Sequence, residues 1–168
     1  MFIRLLVVLA VALTAAPAHA AHYAGYHQRD RLLTIADCAP GRAVPYAVAV
    51  WGRSDVIDVR RVSCSARADV RARTHNFGRN NGLVAHSWKI DRRRHLYAAT
   101  IFFNSYYFTS TNDRRSLACF IVGRALGLRE RGPRDTTSCM GGRDPTLPLS
   151  PDAHDYAQLR AIYRHTHR

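Results

Sequence analysis

Apolar and polar positions along the chain change pattern several times, and each change marks an element. Residues 5–16 form one apolar run, with Arg4 before it and Ala18-His19-Ala20 after it. Residues 44–51, VPYAVAVW, are rich in Val and aromatics and predict a strand. Ser54-Asp55 offers an N-cap for a helix through about residue 61. Residues 68–73 set Val against Arg, which predicts a strand with one wet face. THNFGRNNG at 74–82 is turn chemistry, and residues 83–88 predict a short strand. A turn at 91–94 precedes the strongest strand signal, HLYAATIFF at 95–103. Asp113 then caps a predicted helix to about residue 128, and 132–149 read as a long loop. Ser150-Pro151 opens a final helix to about residue 164, with Asp152 and Asp155 in its first turn and Tyr156, Leu159 and Tyr163 on one stripe. Residues 21–43 are polar and irregular and read as a lead-in. Strands early, a central helix, a long loop and a terminal helix predict a single α+β, or mixed α/β, domain over 44–168.

The chain has 168 residues, enough to bury a substantial core. The apolar run at its start has the n-region, h-region and small-x-small site of a signal peptide. It is shorter than the roughly 20 residues of a membrane span. Residues 1–20 are therefore expected to be a leader, cut near Ala20, and the mature chain to be secreted, periplasmic or at the cell surface. No later run predicts a transmembrane span. In that oxidising setting four cysteines, Cys38, Cys64, Cys119 and Cys139, predict two disulfides. Three connectivities are possible, and spacing favours Cys38–Cys64 with Cys119–Cys139. A four-Cys zinc site lacks any C-x-x-C knuckle.

Charge narrows the chemistry further. The chain carries a formal +13, and only one of its 25 cations, Lys89, is not Arg. Glu130 is the sole Glu, so any Glu base must be that residue. The sequence has no G-x-S-x-G elbow, no phosphate loop and no dinucleotide fingerprint. Arg92-Arg93-Arg94 and Arg114-Arg115 are the densest basic spots. They leave open an anionic partner such as a cell-surface polymer, while export argues against intracellular nucleic acid.

The helix DRRSLACFIVGRALGLRER, then Ser138-Cys139-Met140, then SPDAHDYAQLRAIY, occur in an order and spacing that resemble the matrixin-like members of the metzincin zinc peptidases. Cys119, Gly123, Ala125-Leu126-Gly127-Leu128, Met140 and Asp155-Tyr156-Ala157-Gln158-Leu159 carry the resemblance. It implies a metzincin-like single domain: a twisted mixed sheet, an active-site-type helix, a Met-turn at Met140 and a C-terminal helix. It also implies a substrate groove along an edge strand, placed at Tyr97, Ala99, Ile101, Phe103 and Asn104.

The same frame sets Phe120 and Arg124 at the first two zinc-ligand positions, Ile121 at the general-base position and Glu130 at the third ligand. Two imidazoles at i and i+4 are what bring a metal to one helical face. Phe120 has no lone pair, Arg124 is a permanent cation, and Ile121 cannot take a proton from water. The mature histidines form no H-x-x-x-H pair. The expectation is a protein with no catalytic residues, no metal and no cofactor, which binds an extended peptide or protein in the former substrate groove. A cationic module for anionic surfaces is the alternative, and an active zinc endopeptidase is what the family label alone would imply.

Overall fold

A computed structural model of the chain describes residues 23–79, 82–107, 110–132, 135–142 and 148–164. The expected leader at 1–20 and His165 and His167 lie outside them. Six strands form one sheet: β1 (His27–Gln28), β2 (Leu32–Cys38), β3 (Asp58–Ser63), β4 (Val70–His75), β5 (Val84–Ile90) and β6 (His95–Asn104). Strands β3, β2, β4 and β6 lie side by side and parallel. Strand β5 runs antiparallel along β6 and forms that border of the sheet. Strand β1 adds two parallel pairings at the start of β6.

Three helices complete the domain: α1 (Ala43–Trp51), α2 (Thr111–Ala125) and α3 (Ala153–Ile162). A mixed α/β domain is thus what forms, but three local expectations are overturned. Residues 44–51 are a helix and not a strand. Their Val and aromatic content favours β structure, but Ala43, Val44, Ala47, Val50 and Trp51 recur at helical spacing and all are buried. Pro45 is tolerated because it sits in the first turn, where N–H groups lack intrahelical partners. The helix expected from Ser54 does not form. Ser54 instead accepts a bond from Val56 N–H (3.4 Å) in a turn that leads into β3.

The third correction concerns residues 21–43, which are not an irregular lead-in. LLTIADC alternates Leu33 and Ile35 into the core and forms β2, between β3 and β4 near the middle of the sheet. Helix α1 is then the crossover that two parallel neighbours, β2 and β3, require.

Both later helices start with reciprocal caps. Ser110 Oγ accepts from Asp113 N–H, while the Asp113 carboxylate accepts from Ser110 N–H. Asp152 and Asp155 make the same exchange at α3, two residues later than the cap expected at Ser150. Helix α2 ends in a Schellman motif: Leu128 N–H bonds Gly123 C=O and Gly127 N–H bonds Arg124 C=O, each at 3.0 Å. Gly127 adopts φ +96°, and a Cβ there would meet Tyr26 O at 2.4 Å, so conformation and space both exclude other residues.

Both disulfides form as the spacing favoured, Cys38–Cys64 and Cys119–Cys139. Among the described residues no helix is long and apolar enough to cross a membrane. The Cys119–Cys139 bond ties α2 to a short 3₁₀ turn, Cys139–Gly141, and spans 20 residues. Closing a loop of that length contributes about 3 kcal/mol in the chain-entropy account. Replacing both cysteines with Ala should lower unfolding free energy by about 3 kcal/mol, measured by urea titration with the other disulfide intact.

Candidate functional site

Helix α2 presents most of the positions that the resemblance singles out. Phe120 is 3% exposed and Ile121 fully buried, so both belong to the apolar core. Arg124 follows Phe120 by one turn and is only partly buried. Its carbonyl accepts a 3.1 Å bond from the Tyr26 hydroxyl. Burial pushes the Tyr26 phenol above its usual range, and the Arg124 cation offsets part of that rise. Glu130 lies beyond the Gly127 turn, with its Oε1 beside Gly142. The structure therefore shares out these four positions: two pack in the core, one flanks Tyr26, and one lies by the following loop.

Met140 is buried under α2. A Cβ built on Gly123 would stand 2.4 Å from Met140 Sδ and 2.6 Å from the Trp51 ring, so only Gly lets the turn and α1 approach this helix. Trp51 Nε1 donates to Cys119 C=O at 2.8 Å. Ser138 caps the turn by accepting from Met140 N–H at 3.0 Å, and its hydroxyl donates to the buried Asp155 of α3.

The groove residues need correction. Strand β6 is not at an edge, because from Ala99 to Phe103 it pairs with β4 on one side and β5 on the other. Ala99, Ile101 and Phe103 are buried in the core, and Tyr97 alone of the set is exposed. The edge placement came from the resemblance alone, and the residues of β6 carry no signal of how many neighbours the strand has.

Asn104 is also buried, and it organises loops. Its Nδ2 donates to Gly78 and Gly82 carbonyls at 2.9 Å, and its Oδ1 accepts from Phe77 and Tyr106 N–H. Every bonding position of that amide is filled, so it holds Phe77, Gly78 and Gly82 against the end of β6.

The border strand is β5. Leu83 C=O accepts from Asn104 N–H, and Ala99 N–H on β6 turns the other way, to Asp69 C=O on the β4 side. By the alternation of an antiparallel ladder, the backbone N–H and C=O of Trp88 point away from β6 to the outer border. Among the described residues no strand pairs with that border. The Trp88 ring lies 6.2 Å from the Tyr26 ring, so Tyr26 stands between α2 and β5. Nothing in the sequence marked Tyr26, whereas a short strand was expected at 83–88.

Among the described residues no group of three His, Cys, Asp or Glu side chains is placed to hold a metal ion. Of the basic spots, Arg115 lies over the Tyr46 ring at 5.1 Å, and Arg94 Nε donates to Gly25 C=O at 2.6 Å. No family model matches the sequence, and no curated protein matches it.

One ionic cluster fixes the turn against α3. The Arg131 guanidinium meets Asp135 at 2.6 Å, Asp152 at 2.7 Å and Asp155 at 3.3 Å. Burial works to raise the Asp152 carboxyl, but the Arg131 bond, the Asp155 N–H and the Thr137 hydroxyl outweigh it and hold it at about 2. A carboxylate lowered by folding stabilises fully above its unfolded value near 3.8 and loses that contribution as pH falls through about 2. Wild type should exceed Asp152→Asn by about 1–1.5 kcal/mol at neutral pH, after discounting for solvent screening. The gap should close between pH 4 and pH 2 in denaturant titrations; a gap independent of pH would refute the assignment.

Proposed function

We propose that the chain is an exported, catalytically inactive relative of the matrixin-like metallopeptidases that binds an extended peptide along β5. The observation that carries the reading is the outer border of β5, unpaired among the described residues, on a strand whose Trp88 ring lies by Tyr26, which in turn bonds the Arg124 carbonyl of α2. An extended peptide can add to such a border as a further strand, with main-chain bonds supplying affinity. Those bonds need no metal.

Three further features support the reading. The resemblance places catalytic groups at Phe120, Ile121, Arg124 and Glu130, and none of these supplies the imidazole pair with a carboxylate base. The strand order, with one antiparallel border on a parallel sheet, suits the groove that the resemblance implies. The Arg124 guanidinium forms no ion pair among the described residues, and a guanidinium of that kind is a carboxylate fork. The ligand class is therefore an extended peptide with an acidic side chain or a free C-terminal carboxylate near Arg124.

The alternative, a cationic module for anionic surfaces, draws on the formal +13 and would show itself as binding to any polyanion, lost with added salt. A displayed peptide library should enrich acidic peptides on wild type, and Arg124→Ala should weaken the selected peptide about 10-fold. N-methylation at alternate peptide amides should abolish binding, since it removes the strand pairing. Equal binding to Arg124→Ala, or tolerance of N-methylation at every amide, would overturn the groove reading.

A further inference from the structure

A cavity of about 550 Å³ opens at the N-terminal ends of the parallel strands, lined by residues of β1, β2 and β6 and by the turns that precede β2 and β4. Its origin is a gap in the ladder. Strand β1 pairs with β6 only as far as Leu96, and β4 joins β6 only from Ala99, where Ala99 N–H reaches Asp69 C=O at 2.7 Å. On the opposite flank Lys89 pairs with Ala98 and Ile90 with Leu96, which leaves Tyr97 as the extra residue of a bulge. Bulges re-aim a side chain, and here the Tyr97 ring lines the cavity while 59% exposed.

Polar groups around this cavity lack partners within the protein. Gln28 is 3% exposed, and its side-chain Nε2 is buried with no hydrogen bond. An amide N–H in that condition is costly unless something accepts from it. The side chains of Arg29, Asp30 and Arg67 enter no hydrogen bond or ion pair among the described residues. Asp69, by contrast, is satisfied, since its carboxylate accepts from Thr34 N–H at 2.8 Å and from the Thr34 hydroxyl at 2.6 Å. The open groups are thus two guanidiniums, an amide donor, one carboxylate and one aromatic ring.

We infer that this cavity binds an acidic saccharide, a hydroxylated ring that bears a carboxylate, as in hexuronic acids. The ring stacks on Tyr97, whose apolar face suits the C–H side of a pyranose. The sugar carboxylate accepts from Arg29 and Arg67, the geometry for which guanidinium is built. Gln28 and Asp30 supply a donor and an acceptor for the hydroxyls. The site is independent of the β5 border, since none of its lining residues belongs to β5 or α2.

Titration of the full mature chain with digalacturonate, followed by calorimetry, tests the assignment. Saturable binding is expected, with cellobiose, a neutral disaccharide, at least about 10-fold weaker. Arg67→Ala and Tyr97→Ala should each weaken digalacturonate about 10-fold, while Tyr97→Phe keeps the ring and retains binding. Both residues are exposed, so unchanged melting of each variant shows that folding is not the cause. Arg92→Ala, elsewhere on the basic surface, should leave binding unchanged. Equal affinity for cellobiose, an Arg92→Ala effect as large as that of Arg67→Ala, or no saturation by about 10 mM would overturn the proposal.

Discussion

Gly123 is the point on which the domain turns. With no side chain there, α2 can lie against both Met140 and the Trp51 ring, and a single added methyl group would collide with each. That approach sets α1 against α2 and places the 3₁₀ turn beneath the helix. The Cys119–Cys139 bond, one helical turn earlier, holds the same turn covalently. The Trp51 bond to Cys119 C=O links all three pieces. From this junction the chain continues through Ser138 to Asp155 and so to α3. The C-terminal end of α2 is fixed in the same manner, by Gly127 under Tyr26. Helices α1 and α2 thus meet through the Gly123 contact, while α3 is tied in through Asp155.

That architecture explains why Phe120 and Ile121 are so thoroughly buried. The helix is held by apolar packing, a disulfide and glycine-mediated contact. Burying a Phe or Ile side chain contributes about 1.5–3 kcal/mol relative to leaving it exposed. Phe120 and Ile121 at these positions therefore add to the core. The border strand β5 is separated from that chemistry, because its outer groups belong to the backbone and persist whatever the side chains on α2 become.

Much of this was legible in the sequence, and the failures have physical causes. The two disulfides followed from spacing, and α2 and α3 were legible as helices, although each was given the wrong N-cap: Ser110 and not Asp113 caps α2, and Asp152 and not Ser150 caps α3. The strand at 95–103 was evident, but its neighbours were not, because pairing partners are set by tertiary contacts that alternation does not encode. Residues 44–51 were misread because Val and Trp content outweighed a helical spacing that only burial makes decisive. LLTIADC was read as part of a polar, irregular stretch, although its alternation matches β2. The Tyr26 bond to Arg124 C=O spans 98 residues and the cavity beside Tyr97 joins three separate strands, and no local pattern records either.

The central claim is that this helix is held without a metal, by the apolar junction around Gly123. Thermal unfolding of the mature chain, freed of loosely held metal and scanned with chelator and then with added zinc, tests it most directly. The account expects one melting midpoint, the same in both conditions, and well under one zinc per chain by elemental analysis. A midpoint that rises with zinc and falls with chelator, together with one tightly held zinc per chain, would contradict it.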